Sequence, residues 1–288
     1  MAQVRRLAPA KVNLFLHVAP VSADGYHPLA SLIAFADVGD GVTAMPAERL
    51  SLTVTGPFGQ GLNDSGDNLI LTALRALGAA TGAGDPALAV SLDKQLPIAA
   101  GLGGGSSDAG AALRVARDVL GLSLDDAALA GIAASVGADG PMCLHARAAW
   151  AEGRGDRLTF EPRLPPLPAV LINPGVPSPT GAVYRAYDEG STAAADRPEP
   201  PGDWTVSAVI DWLATQRNDL EAPAVALEPA IGVAVGEAAR LPGVRLVRMS
   251  GSGATVFALF DSFEASTAAA RGLSIARSDW WVRAVTLR

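Results

Sequence analysis

A glycine-rich segment, PIAAGLGGGSSDAGAAL (residues 97–113), constrains the fold more than any other stretch of this chain. Before it, the alternating apolar residues of ALAVSLDK predict a strand with one buried face. After it, Ala109, Ala112, Leu113 and Ala116 recur at helical spacing. The segment therefore joins a strand to a helix, and its glycines let the backbone approach a ligand closely.

A loop at a helix N-terminus presents unpaired N–H groups and the positive end of the helix dipole to an anion. Ser106 and Ser107 can add hydroxyl donors. A Walker loop does not fit, because it requires Gly-Lys-Ser/Thr and Gly105 is followed by Ser106. A dinucleotide-binding loop does not fit either, since it requires a third glycine where Ser106 stands. The segment is expected to hold a phosphate, with the positive charge and the general base supplied from elsewhere.

The charge balance argues against a nucleic acid as partner. The 288 residues include 22 lysines and arginines and 29 acidic residues, giving a net charge of −7, whereas binding to a phosphate backbone requires clustered positive charge. The single cysteine, Cys143, excludes an intramolecular disulfide. No apolar run approaches the roughly 20 residues that span a bilayer. We expect a cytoplasmic protein that binds neither nucleic acid nor membrane, as a monomer or weak homodimer.

The order of the predicted elements indicates an α+β chain of two domains. In the first part, alternating strands at residues 50–54 and 88–92 flank a helix over NLILTALRALGAATG. After EPRLPPLP come a strand, helices, two strands, a helix and a final strand, which is the split βαβ order of a ferredoxin-like domain. We expect domains at 1–160 and 161–288. A single continuous α/β domain is the alternative.

Two charged residues are candidates for the positive charge and the general base that the glycine-rich segment lacks. Lys11 interrupts an otherwise apolar run ahead of a strand, and Asp139 lies in the sequence GADGP. We expect Asp139 at the end of a helix, where the dipole disfavours an acid and a functional explanation is therefore attractive. A strand-edge lysine and a turn aspartate are the structural alternatives.

Several motifs occur in the order seen in GHMP-type small-molecule kinases, and the chain resembles that family over nearly its whole length. These motifs are PAKVNLFLHV, ADGYHPL, NLI, PIAAGLGGGSSDA, GAD-P, AEGRGD, NDLE and MSGSG. The resemblance implies a GHMP kinase fold, with a ribosomal-protein-like N-terminal domain and a ferredoxin-like C-terminal domain. PAKVNLFL together with DGYH points to a member that phosphorylates an alcohol carrying a cytidine diphosphate group, in the non-mevalonate route to isoprenoid precursors.

The resemblance also implies catalytic and nucleotide-binding residues. Asp139 would take the proton from the substrate hydroxyl, and a neighbouring Lys11 would keep Asp139 ionised. The adenine of ATP would lie near Asn68 and Lys94, and Mg²⁺ would arrive with the nucleotide rather than on protein ligands. The ATP phosphates would be held by Pro97, Gly101, Leu102, Gly103, Gly104, Gly105, Ser106 and Ser107.

The remaining implied residues bind the substrate. Tyr26 would stack on the cytosine face, His27 would read the ring edge, and Tyr184 would lie across the ring. Asn13 and Thr180 would hydrogen-bond the substrate.

Two positions depart from the family pattern. Gly140 stands where the family commonly has a branched apolar residue, and we expect this glycine to loosen the backbone beside Asp139. Gly140→Val tests that expectation through a rise in turnover. Ile33 stands where some members have an aromatic residue near the substrate, so that wall of the site is expected to be less complete.

Two other functions are alternatives. One is a GHMP kinase for another alcohol, such as homoserine or mevalonate. Tyr26 and His27 argue against it, because those substrates have no base to stack. The other is a non-catalytic nucleotide-binding protein or an RNA-binding module. The acidic charge disfavours RNA, and the presence of Lys11 and Asp139 disfavours a mere sensor.

Overall fold

A computed structural model describes residues 3–23, 25–60, 62, 68–190 and 194–288, so that Asp24 of ADGYHPL lies outside the described residues. The strands are β1 (Val4–Val18), β2 (Leu29–Pro46), β3 (Ser51–Thr55), β4 (Leu88–Asp93), β5 (Ala149–Gly153), β6 (Arg157–Phe160), β7 (Leu167–Asn173), β8 (Val244–Met249), β9 (Val256–Phe260) and β10 (Trp281–Leu287). The helices are α1 (Leu69–Thr81), α2 (Gly104–Leu120), α3 (Asp126–Val136), α4 (Gly140–His145), α5 (Thr180–Asp188), α6 (Val206–Ala214), α7 (Glu221–Leu227), α8 (Pro229–Ala238) and α9 (Phe263–Ala276).

The chain forms two compact units that alternate along the sequence. The first contains Met1–Ala10, Val38–Leu96 and Gly103–Ala146, and the second contains Lys11–Asp37, Pro97–Leu102 and Arg147–Arg288. Strands β1 and β2, which pair with each other, therefore contribute residues to both units. These units differ in extent from the two predicted domains, whose boundary at residue 160 stays a prediction.

The first unit is built around a βαβ crossover. Strands β3 and β4 run parallel, with Leu52 opposite Val90, and α1 connects them. The C-terminal part of β2 pairs antiparallel with β4, with Val42 opposite Leu92. The predicted strands at 50–54 and 88–92, and the helix between them, are confirmed.

The helices of the first unit pack through apolar faces. Helix α1 begins where the Asn68 side chain accepts the N–H of Ile70, and it ends at Gly82, whose φ of 69° few other residues adopt. Its buried face packs against α2 and α3, and α4 packs against both of these. Leu74, Leu92 and Leu113 are among the side chains of this core. The helix dipole and N–H groups of α2 are thus fixed by a buried apolar cluster.

The second unit contains the predicted ferredoxin-like arrangement. Four antiparallel strands lie in the order β10-β7-β9-β8. Strand β9 separates β7 from β8, which is the split βαβ pattern. The N-terminal part of β2 pairs with β5, and β5 with β6. With two units of mixed helices and strands, the α+β two-domain expectation is confirmed, and the single continuous domain is not.

Candidate active site

The glycine-rich loop passes from the second unit to the first between Leu102 and Gly103. In the second unit, the Lys11 N–H donates to the Leu102 carbonyl over 2.8 Å. The Ser250 hydroxyl donates to the Gly101 carbonyl over 2.9 Å. A Cβ on residue 101 would lie 2.3 Å from the Ser250 carbonyl oxygen, and the φ there is +73°. Only glycine fits at this position.

The NDLE motif holds the MSGSG turn against which this half of the loop packs. Asn218 Nδ2 donates to the carbonyls of Met249 and Gly251, both over 2.8 Å. Glu221 accepts the Met249 N–H over 2.7 Å. Sequence reasoning gave these residues no role, because their partners lie about thirty residues away along the chain. Asn218 is a positioning residue for the turn.

In the first unit, the loop ends as the first turn of α2. Gly103 is the N-cap residue, with a left-handed φ of 61°, and having no side chain it caps none of the first-turn N–H groups. The Ser107 N–H closes the first helical hydrogen bond with the Gly103 carbonyl over 2.9 Å. Ser107 Oγ is buried and has no hydrogen-bond partner among the described residues. This set of N–H groups and an unpartnered hydroxyl fits a bound phosphate.

Lys94 lies beneath this turn with its ammonium buried rather than presented to solvent. Its Nζ donates to Asp40 Oδ2 and Asp108 Oδ2, each over 2.6 Å, and the lysine is 4% exposed. Burial alone would lower the pKa of Lys94, but the two carboxylates outweigh burial and raise it. The ammonium is therefore committed to these carboxylates. A contact of Lys94 with adenine stays a prediction, and it would have to be made by the backbone or the side-chain methylenes of Lys94 rather than by its ammonium.

Asn68 is likewise engaged in the protein. Its Oδ1 accepts the Ile70 N–H over 2.9 Å, which caps α1. The Nδ2 amide is the group through which Asn68 could meet a base.

Asp139 lies at the start of a helix, so the expectation that it ends one is wrong. Helix α3 ends at Val136, and Asp139 is the N-cap residue of α4. An acid is favoured at this end of a helix, because the dipole is positive there. Asp139 is therefore favourably placed in the dipole of α4, and a catalytic role for it stays a prediction from the family resemblance. Lys11, which is 8% exposed on β1, lies in the other unit.

The expectation that Gly140 loosens the backbone beside Asp139 is also wrong. A Cβ at residue 140 would lie 2.1 Å from the Ala133 carbonyl oxygen and 2.6 Å from the Ala133 carbonyl carbon. Real Cβ atoms do not approach backbone this closely, so Gly140 permits the contact between α3 and α4. In this chain the glycine is a packing requirement.

The predicted polar substrate residues of the second unit make defined contacts. Asn13 Nδ2 donates to Ser31 Oγ over 2.8 Å. The Thr180 and Ser252 hydroxyl oxygens are 2.8 Å apart, which joins the start of α5 to the MSGSG turn. Ile33 is 1% exposed, so it is a core residue of β2. The structure brings Thr180 to the turn that supports Gly101.

Three residues form a histidine–aromatic cluster: His27, Tyr184 and Asp188. His27 Nε2 and Asp188 Oδ1 are 2.6 Å apart, and the ring centroids of His27 and Tyr184 are 4.9 Å apart. Tyr26 is 54% exposed, and the Arg154 guanidinium lies 4.0 Å from its ring centroid. The cluster combines an aromatic face with a histidine whose ring is held by a carboxylate. Asp188 is a member that sequence reasoning missed.

The described residues contain neither a candidate metal centre nor a candidate membrane-spanning helix. No group of three or more His, Cys, Asp or Glu side chains there could hold a metal ion. No helix in that part of the chain is long and apolar enough to cross a membrane.

Comparison with known proteins identifies the family. The chain matches the GHMP kinases N terminal domain over residues 68–147 and the GHMP kinases C terminal domain over residues 208–277. It is 54% identical, over 96% of both chains, to a 4-diphosphocytidyl-2-C-methyl-D-erythritol kinase of Caulobacter vibrioides.

Two solved structures are also similar. The crystal structure of a 4-(cytidine 5'-diphospho)-2C-methyl-D-erythritol kinase shares 36% identity, with a TM-score of 0.78 over 99% of both chains. A homoserine kinase from Cytophaga hutchinsonii shares 21% identity, with a TM-score of 0.63 over 99% of this chain and 96% of that one, which is a likeness of fold alone. The chain belongs to the 4-diphosphocytidyl-2-C-methyl-D-erythritol kinase family of GHMP kinases.

Proposed function

We propose that the protein transfers the γ-phosphoryl group of ATP to the 2-hydroxyl of 4-diphosphocytidyl-2-C-methyl-D-erythritol, giving the 2-phosphate and ADP in the non-mevalonate pathway. The names of its close relatives support this reaction. The observation that carries the choice of substrate is the histidine–aromatic cluster. A cytosine base needs aromatic faces and an edge-reading group, whereas homoserine and mevalonate have no base.

His27 has the chemistry to read cytosine. When the neutral imidazole donates Nε2–H to Asp188 over the observed 2.6 Å, Nδ1 is left as the acceptor. The exocyclic amine of cytosine is a donor and therefore suits that nitrogen. Tyr26 and Tyr184 would pack on the ring faces. Asp188 thereby leaves His27 with a hydrogen-bond acceptor, so His27 can bind the edge of a base that carries a donor.

The transfer itself needs positioning and charge neutralisation. The first-turn N–H groups of α2 and the hydroxyls of Ser106 and Ser107 would hold the ATP phosphates. Mg²⁺, bound to those phosphates, would neutralise part of their charge. Asp139 would accept the proton of the substrate hydroxyl, and Lys11 would stabilise the negative charge of the transferring group. We place this reaction in the cytoplasm, with the protein acting as a monomer or weak homodimer.

Coupled measurement of ADP release against a panel of alcohols tests the proposal. The panel contains 4-diphosphocytidyl-2-C-methyl-D-erythritol, homoserine and mevalonate, each with MgATP. The proposal predicts turnover with the cytidine compound alone. Turnover with homoserine or mevalonate alone would leave the fold assignment intact and contradict the substrate. Binding of ATP with no turnover of any alcohol would favour a non-catalytic nucleotide-binding protein.

A further inference from the structure

Asp40 and Asp108, the two carboxylates beneath the phosphate loop, accept different numbers of hydrogen bonds. Asp40 Oδ1 accepts the N–H groups of Gln95 and Leu96, over 2.6 and 2.8 Å, and its Oδ2 accepts from Lys94. Asp108 Oδ2 accepts from Lys94, and Asp108 Oδ1 is buried with no partner among the described residues. A buried carboxylate oxygen without a donor is costly unless it is protonated.

The charges of this cluster do not balance when both acids are ionised. One ammonium faces two carboxylates, and the side chains of Asp40, Lys94 and Asp108 are all 5% exposed or less. Burial and the second carboxylate raise the pKa of Asp108 to about 7, against the opposing effect of Lys94. Lys94, from the segment after β4, and Asp40, from β2, are the charged groups that act on Asp108. The proton of the cluster therefore belongs on Asp108.

Asp108 also lies directly after the phosphate loop. It follows Ser107 in α2, and the unpartnered Oγ of that serine is part of the expected phosphate site. Lys94 Nζ lies 3.1 Å from where a Cβ of Gly104 would stand, so the ammonium packs directly against the first turn of the helix. Anionic phosphates on that turn would repel an ionised Asp108, since like charges in a buried site disfavour one another.

We propose that Asp108 is a proton-linked positioning residue of the nucleotide site: it is protonated when phosphates occupy the loop, so that ATP binding is accompanied by proton uptake. The protonated form leaves Lys94 paired with Asp40 and a neutral Asp108 beneath the loop. This inference rests on the proposed binding of ATP phosphates at residues 103–107. On this inference Asp108 does not touch the nucleotide. It affects nucleotide binding through its own charge and through the position of α2.

Titration calorimetry of MgATP binding in buffers of different ionisation enthalpy measures the linked proton. We expect the wild-type protein to take up a fraction of a proton near pH 7.5, and less near pH 5.5, where Asp108 is already protonated. Its ATP affinity should fall by up to about tenfold per pH unit above pH 7. Asp108→Asn should show a smaller proton uptake and a flatter affinity profile, because the amide stays neutral.

The matched control is Asp118→Asn, a second aspartate on α2 that pairs with Arg6 and Arg117 at the surface. It should retain the wild-type proton uptake. Identical uptake in wild type and Asp108→Asn would overturn the inference while leaving ATP binding intact. Absence of any ATP binding by the wild type would instead contradict the proposed function. If Asp108→Asn does not fold, infrared spectroscopy of the wild-type protein tests the inference instead. With MgADP bound near pH 7.5, the wild type should show the carbonyl band of a protonated carboxylic acid. Absence of that band would overturn the inference.

Discussion

At the scale of single residues, Asp139 is the residue proposed as the general base. It caps α4 at the end where the helix dipole favours an anion. A carboxylate is the kind of group that can accept a proton from a substrate hydroxyl. The GADGP motif singles out Asp139 in the sequence. The predicted helix ends at Val136, three residues before Asp139, and a second helix begins just after it.

Replacing Asp139 by asparagine removes the proposed base and keeps the shape of the side chain. Turnover should fall by about 10²- to 10⁴-fold, while ATP affinity stays within about twofold. Coupled ADP release and calorimetric ATP binding measure the two quantities. Asp279→Asn, at an exposed position of the second unit, serves as the control and should behave as wild type. Wild-type ATP consumption by Asp139→Asn would rule out this base.

Gly140→Ala should destabilise the protein by about 1–3 kcal/mol, because the new methyl group would meet the Ala133 carbonyl at 2.1 Å. Urea unfolding monitored by circular dichroism gives the change. Gly131→Ala is the control, since its Cβ meets nothing within 4 Å and it lies inside α3. That variant should gain up to about 1 kcal/mol. Equal stability of Gly140→Ala and wild type would show that α3 and α4 are not packed as described.

The residue types of the site could be predicted from the sequence, but their partners could not. Lys94 stands 54 residues from Asp40 and 14 from Asp108, so no local spacing links the three. Asp188 is 161 residues from His27. Pairings over such distances depend on how the sheets and helices assemble. The periodicity of the sequence therefore cannot predict them.

At the scale of elements, α5 connects the histidine–aromatic cluster to the MSGSG turn. Thr180 contacts Ser252 at its start, and Tyr184 and Asp188 follow at spacings of four residues, on one helical face. That face meets His27. The position of one short helix therefore sets both contacts.

Asp188→Ala should raise the KM for the cytidine substrate by roughly tenfold, because His27 loses the acceptor that orients its ring. The KM for ATP should stay unchanged, and steady-state kinetics with each substrate varied in turn separates the two. Glu189→Ala changes the adjacent exposed acid and should have no effect. An equal rise in both KM values would indicate general disruption rather than loss of base recognition.

Elements with clear periodicity were predictable, whereas several short or fully buried elements were not. Strand β2 is buried at every position from Ala30 to Ala36, so this part of it shows no alternation. The β5–β6 hairpin contains the AEGRGD motif, whose Gly153 and Gly155 have positive φ. Helix α7 contains Pro223 in its first turn and is only seven residues long. Short or fully buried elements give patterns too weak to read.

At the scale of the whole molecule, two units are formed by segments that alternate along the chain. A composition change near residue 160 cannot reveal this, because β1 and β2 belong to both units. The ferredoxin-like order could be predicted, since it lies in one continuous stretch. Global stability depends on both cores and on the buried ionised groups within them.

Glu161 makes a pH-dependent contribution to that stability. The Arg163 side chain, with help from Trp150 and despite burial, lowers the pKa of Glu161 to about 2. A carboxyl whose pKa is lower in the folded state stabilises above its unfolded value of about 4.3, and this stabilisation is lost as pH falls towards 2. Glu161→Gln should lower Tm by about 5 °C at pH 7 and progressively less below pH 4. A difference in Tm that is constant from pH 7 to pH 3 would contradict this.

The central claim is that this chain selects its alcohol substrate through the cytidine base. The most direct measurement compares kcat/KM for 4-diphosphocytidyl-2-C-methyl-D-erythritol with that for 2-C-methyl-D-erythritol 4-phosphate, the same alcohol without the cytidine. We predict a preference of about 10³-fold or more for the cytidine compound, because Tyr26, His27 and Tyr184 are the residues proposed to bind the base. Equal kcat/KM for the two alcohols would contradict the claim.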